Sequence, residues 1–276
     1  MIQLQQIAAA NFHYKRYSLD YFLDSAARLG FKNIELWASG PHFHLDYYTP
    51  QDVRDLKQKI KNRGLQVICL TPEQSVYPIS ISHPDPAYRK ASVEFFCRHI
   101  ETAVQLDCNQ MLVTTGLAYL DADESEMWKW CRESLGEICK TAEKEGVYLP
   151  VEAFTSFSTH VFNTAEHIAK MIREVGSPNL KGLADTDVMA VTGKDTIHDF
   201  IRELGDNLAY VHFVDGNPGG HLVPGEGKLP MEEALQALSD SGYKGYLGLE
   251  LLDRRYVLEP EQAMRDSLAW FQKQLG

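Results

Sequence analysis

Arg28-Leu29-Gly30 followed by Ile34-Glu35-Leu36-Trp37 reads as the end of a helix, a glycine stop and a buried strand. Glycine suits the stop because many helices end on a left-handed residue, which glycine adopts without Cβ strain. The same grammar recurs: Asn62-Arg63-Gly64 before Val67–Leu70, Glu145-Gly146 before Val147–Glu152, and Val175-Gly176 before Leu180–Asp185. It returns as Leu204-Gly205 before Leu208–Val214 and Ser241-Gly242 before Tyr246–Leu251. Asp107-Cys108-Asn109 takes the place of glycine before Met111–Thr114. Successive junctions lie 29 to 43 residues apart, and one βα unit needs about 30 or more. A further strand near Gln3–Ala9 makes eight.

The segments between have the helical period. Leu19, Phe22, Ala26 and Leu29 fall on one face, as do Ala165, Ile168, Ile172 and Val175. Thr49-Pro50 is a helix start, with threonine as cap and proline in the first turn. The strands are continuous apolar runs, as expected of a parallel sheet covered on both sides. Eight such units without a linker predict a single-domain (β/α)₈ TIM barrel over residues 1–276. The alternative is an open doubly wound sheet, but the first βα turn lacks GxGxxG.

The chain is long enough for this, since such barrels run to about 250 residues. A net charge of −11 gives no footing for a polyanion, so nucleic acid is not an expected partner. Cys69, Cys97, Cys108, Cys131 and Cys139 form no CxxC and read as small buried hydrophobes in a reducing compartment. Met1–Gln6 has no secretory character, and no apolar run approaches the roughly 20 residues of a membrane helix. A cytoplasmic enzyme without a membrane partner is the expectation.

In a barrel the C-terminal strand ends build the active site. Glu152, Asp185, His212 and Glu250 occupy those ends on the last four expected strands. Neighbouring strands are about 4.8 Å apart, so the four side chains have reach enough to converge. Three carboxylates held close together repel one another, and a divalent cation removes that repulsion. Oxygen-rich ligands with one imidazole suit Mn²⁺, Mg²⁺, Co²⁺ or Fe²⁺ better than a structural zinc. Taken singly, each residue has a plainer reading: a carboxylate that caps the next helix, a histidine bonded within the core. Together they favour the metal, because buried unpaired charges are costly.

Four more residues are expected to contact substrate. The second expected strand carries Glu35, the third ends at Thr71-Pro72-Glu73, and His221 precedes the turn Pro224-Gly225-Glu226-Gly227. Arg254 follows the last strand, where barrels often hold phosphate. His42 and His44 read as a solvated loop pair. Phe12, Trp37, Tyr77 and Phe154 are candidates to line a pocket.

Several stretches resemble the xylose-isomerase-like barrel superfamily, and within it the ketose 3-epimerases of the fructoselysine 3-epimerase type. They are Asn33-Ile34-Glu35-Leu36-Trp37, Thr71-Pro72-Glu73, Val151-Glu152, Asp185, His212-Phe213-Val214-Asp215, Val223-Pro224-Gly225-Glu226-Gly227 and Leu249-Glu250. The resemblance covers nearly the whole chain. It implies that Glu152, Asp185, His212 and Glu250 bind Mn²⁺ or a similar ion, and that Glu152 and Glu250 are the proton-transfer pair. It also implies a sugar substrate and a homo-oligomer. Ser158, Val188 and Asp215–His221 depart from the residues that hold sugar hydroxyls in many relatives, which favours a modified ketose over a free one. Alternatives within the superfamily are a sugar-phosphate epimerase or isomerase and an inosose-dehydratase-like lyase; a non-catalytic sugar-binding barrel is the alternative outside enzymes. Endonuclease IV shares the superfamily, but the charge and the few strand-end histidines argue against it.

Overall fold

The computed structural model describes residues 1–276. Seven strands run in parallel: β1 (Ile7–Ala10), β2 (Asn33–Ala38), β3 (Gln66–Pro72), β4 (Leu149–Glu152), β5 (Leu180–Asp185), β6 (Leu208–His212) and β7 (Tyr246–Leu249). Their order is β3-β2-β1-β7-β6-β5-β4, so β3 and β4 are the free edges of a curled sheet.

The expected strand at Met111–Thr114 lies between those edges but is not a full strand. Parallel bridges join Leu70 to Met111 and Val113 to Val151. Leu112 N donates to Leu70 O at 3.0 Å, and Glu152 N donates to Val113 O at 3.1 Å. The ladder fails on both sides for one reason. In a parallel repeat, the amide that would next reach Leu112 O belongs to Pro72, and the one that would reach Met111 O belongs to Pro150. Neither has an N–H to give. Gln74 repairs the first gap: its Nε2 donates to Leu112 O at 3.1 Å and its Oε1 accepts from Thr114 N at 2.6 Å. The ring therefore has eight staves, of which one is held by isolated bridges and a glutamine.

Nine helices cover the outside: α1 (Leu19–Leu29), α2 (Pro50–Asn62), α3 (Pro86–Gln105), α4 (Glu124–Glu145), α5 (Ala165–Val175), α6 (Thr186–Thr192), α7 (Ile197–Leu204), α8 (Met231–Asp240) and α9 (Pro260–Leu275). The Thr49 start is a capping box with Asp52, and Gly30 ends α1 at φ +90°. Asp107, which replaces glycine at its junction, takes φ +58° and binds Lys57 and Lys61 at 2.7 and 2.6 Å. Aspartate is among the few residues that tolerate that conformation. The main core lies between sheet and helices, while Ala8, Ile68, Cys69, Leu112, Leu183 and Tyr210 plug the barrel lumen. All five cysteines are free; Cys97 alone is only half-buried, in contrast to the expectation that all are core residues. No helix is long and apolar enough to cross a membrane.

Candidate metal centre

The strand register carries the four expected ligands to one place. Glu152 pairs with Leu183, Asp185 with His212, and His212 with Gly248. Residues two apart on a strand share a face. Glu152, Asp185, His212 and Glu250 therefore all point into the barrel mouth, stepping upward from strand to strand. One ligand atom from each lies within 4.8 Å of all the others.

His212 is the hub. Its Nδ1 stands 3.1 Å from Glu152, 3.3 Å from Asp185 and 3.2 Å from Glu250. Its Nε2 faces the other way and lies 3.2 Å from Glu35 Oε1. Glu35 is fully buried and also accepts from Thr71 Oγ1 at 2.5 Å and Tyr210 OH at 2.8 Å. With Nε2–H committed to Glu35, Nδ1 is free to be a ligand. Gly248 leaves the room for this: a Cβ there would lie 2.2 Å from Tyr210 OH and 2.8 Å from Glu35 Oε2.

Asp185 caps a helix through one oxygen and turns the other toward the cluster. Its Oδ1 caps α6, accepting from Asp187 N at 2.7 Å and Val188 N at 3.0 Å. Its Oδ2 is buried without an aligned hydrogen bond, although His212 Nδ1 and His221 Nε2 both lie 3.3 Å away. Closeness without alignment is what donor atoms show when they are turned toward a common centre rather than toward each other. Three carboxylates and an imidazole Nδ1 so arranged fit a divalent cation of the oxygen-preferring kind.

The electrostatics agree with a charge-deficient site. Burial pushes Glu152 up to about 8, against the pull of His212. Burial acts on Glu250 in the same sense, but His212 and His221 overcome it and hold that carboxyl at about 2. Burial lowers the basicity of His212, yet Glu35, Glu250 and Glu152 outweigh it and hold the imidazole well above its ordinary range. Without a cation, protons supply the missing positive charge.

A cavity of about 250 Å³ opens above the cluster. Glu152 and Glu250 line it; Asp185 and His212 do not. Phe12 and Trp37, stacked at 5.2 Å, form part of the wall with Phe154, and Glu73 and Lys15 supply the remaining charges. Glu73 was expected here; Lys15 was not, since nothing in its sequence context distinguishes it from a solvated lysine.

The other expected substrate contacts lie elsewhere. Glu35 sits beneath His212, one layer into the lumen, with no surface to offer a ligand. Arg254 lies on the exposed 3₁₀ turn Arg254–Val257, outside the cavity lining. His221 reaches the cluster itself, its Nε2 3.3 Å from both Asp185 Oδ2 and Glu250 Oε2. His42, in the loop after β2, is buried between Asn11 Nδ2 at 2.7 Å and Tyr17 O at 3.0 Å, a structural histidine rather than a solvated one. Tyr77 is half-exposed and outside the cavity lining. Asp215 organises the Pro224–Gly227 turn: its carboxylate accepts from Gly216 N, Gly225 N, Gly227 N and Leu229 N at 2.8 to 3.0 Å.

Residues 23–274 match the xylose isomerase-like TIM barrel family. The chain belongs to that family. Among relatives in this family it is similar to the fructoselysine 3-epimerase of Shigella flexneri, 27% identical over 260 residues that cover 94% of each chain. It is similar also to the D-psicose 3-epimerase of Ruminiclostridium cellulolyticum, 29% identical over 240 residues, or 83% of this chain and 77% of that one. The D-psicose 3-epimerase structure with D-tagatose from Clostridium cellulolyticum H10 superposes with a TM-score of 0.80 at 23% identity, covering 97% of this chain and 98% of that one. At that identity the superposition supports the barrel alone.

Proposed function

We propose that the protein is a divalent-metal-dependent sugar epimerase, and that it inverts the carbon beside the carbonyl of a ketose or ketosamine. One observation carries the reading: of the four clustered ligands, only the two glutamates also line the cavity. Asp185 and His212 are then ligands, while Glu152 and Glu250 ligate and move protons. A divalent ion, when bound, supplies the Lewis acidity that stabilises the developing enediolate. One glutamate takes the proton from the carbon on one face, and the other returns a proton to the opposite face. Mn²⁺ is the first choice of ion, with Mg²⁺, Co²⁺ or Fe²⁺ as the others.

The similarity to fructoselysine and D-psicose 3-epimerases supports a 3-epimerase. Lys15 and Glu73 in the cavity wall favour a ketose bearing charged groups over a free one. Arg254 stands too far out to favour a sugar phosphate. A cytoplasmic location and a homo-oligomer belong to the same proposal. Glu152→Gln and Glu250→Gln should each bind metal and lose turnover by about 100-fold or more, in the range of a lost general acid or base. Full turnover in either variant overturns the acid–base assignment.

A further inference from the structure

The loop that leaves β6 wraps one carboxylate. His221 N donates to Asp187 Oδ1 at 2.9 Å, and His221 Nδ1 lies 3.2 Å from Asp187 Oδ2. Both oxygens of Asp187 are thus committed to a single residue. Two glycines allow the loop to come so near: a Cβ on Gly216 would lie 2.9 Å from Asp187 Oδ1, and one on Gly219 3.2 Å from Oδ2. His221 itself is held at φ +47°, a conformation that a non-glycine residue adopts only when its surroundings impose it.

With Nδ1 turned to Asp187, Nε2 is the atom left for the site. It meets Glu250 Oε2 and Asp185 Oδ2, each at 3.3 Å. Glu152 has no such neighbour; its imidazole partner is His212 alone. The difference matters because Glu250 lies one residue past the last residue of β7, where no ladder holds it. A carboxylate there keeps rotamer freedom unless a second group restricts it.

We propose that Asp187 and His221 are positioning residues for Glu250 and not for Glu152. His221 orients the Glu250 carboxylate, and Asp187 orients His221. The inference rests on the two-glutamate reading above.

The test compares exchange with inversion. Each ketose epimer, deuterated at the reacting carbon, is incubated with the Mn²⁺-loaded protein in H₂O. Loss of deuterium without inversion reports a proton removed and returned on the same face. His221→Gly suits the left-handed backbone, so a loss through misfolding is not expected. For the epimer that Glu152 deprotonates, this variant should show a ratio of wash-out to inversion about 10- to 100-fold above the wild type. For the opposite epimer, turnover should fall without excess wash-out. His221→Gln, which can place an amide donor near the Nε2 position, should recover part of the ratio, and Asp187→Asn should resemble His221→Gly. Independently of activity, the metal-free protein should show His221 protonated at both ring nitrogens, Nδ1 toward Asp187 and Nε2 toward Glu250, in a long-range ¹H–¹⁵N spectrum, a pattern lost in Asp187→Asn. A wild-type ratio in His221→Gly, or the same rise in that ratio from both epimers, overturns the bracing role. A wild type that inverts the ketose with its deuterium retained sinks the two-glutamate reading, and the brace with it.

Discussion

Replacing Glu35 with glutamine should weaken metal binding without unfolding the protein. Glu35 Oε1 takes His212 Nε2 at 3.2 Å and Thr71 Oγ1 at 2.5 Å, while Oε2 takes Tyr210 OH at 2.8 Å. In Glu35→Gln the amide oxygen can keep the first two bonds. The amide nitrogen then faces Tyr210, whose hydroxyl can turn to accept. What is lost is the negative charge behind His212, which makes Nδ1 a better donor to a cation. Loss of such an outer partner typically costs about 10- to 100-fold in metal affinity, or roughly 1.4 to 2.8 kcal/mol. Glu35→Ala is the harsher change. It leaves three buried donors without a partner at about 1–3 kcal/mol each, a sum comparable to a typical folding stability. Competition with a fluorescent chelator, titrated with Mn²⁺, measures the affinity. At saturating Mn²⁺ the glutamine variant should regain most of its turnover. Unchanged Mn²⁺ affinity would refute the arrangement in which His212 ligates through Nδ1 and is steered by Glu35.

Other outcomes follow from the same geometry. Glu152, pushed up to about 8, and His212, held above its ordinary range, both carry protons at neutral pH in the metal-free site. Metal must displace them, so apparent affinity should fall about tenfold per displaced proton for each pH unit below about 8; calorimetry in buffers of different ionisation enthalpy counts the protons, and none released would contradict the site. Burial depresses His13 to about 3 and His99 to about 4. Below the unfolded value near 6.5 the unfolded chain takes up protons that the native state refuses, so stability is whole above pH 6.5 and declines as pH drops toward 4. The slope is about 1.4 kcal/mol per pH unit for each histidine; denaturant midpoints from pH 7 to 4.5 measure it, and a flat profile excludes the effect. Gly248→Ala should cost about 1–3 kcal/mol, because its methyl would overlap Tyr210 OH beside Glu35; thermal melts that match the wild type would show that the lumen has slack there.

The quartet was legible because each member is the polar residue that ends an apolar run, and the barrel gives such positions a common meaning. Glu35, carried inside the second strand and expected to contact substrate, was misplaced. Its side chain also points inward, but three residues short of the strand end, where Thr71 and Tyr210 enclose it. No pattern on one strand shows which donors its neighbours will bring. His221 and Asp187 meet only because the β6 loop doubles back, a contact across 34 residues that no periodicity encodes. The irregular fourth stave, by contrast, was written in the chain. Pro72 and Pro150 stand where the ladder needed donors, and reading the two flanking strands against Met111–Thr114 would have exposed the gap.

The most direct test of the account is deuterium uptake from D₂O by a panel of free ketoses, ketosamines and ketose phosphates, with Mn²⁺ and with a chelator. The account predicts one deuterium in the epimerised product, at the carbon beside the carbonyl, in the presence of Mn²⁺ and not of the chelator. Inversion without deuterium uptake, or uptake that persists in the chelator, would contradict it.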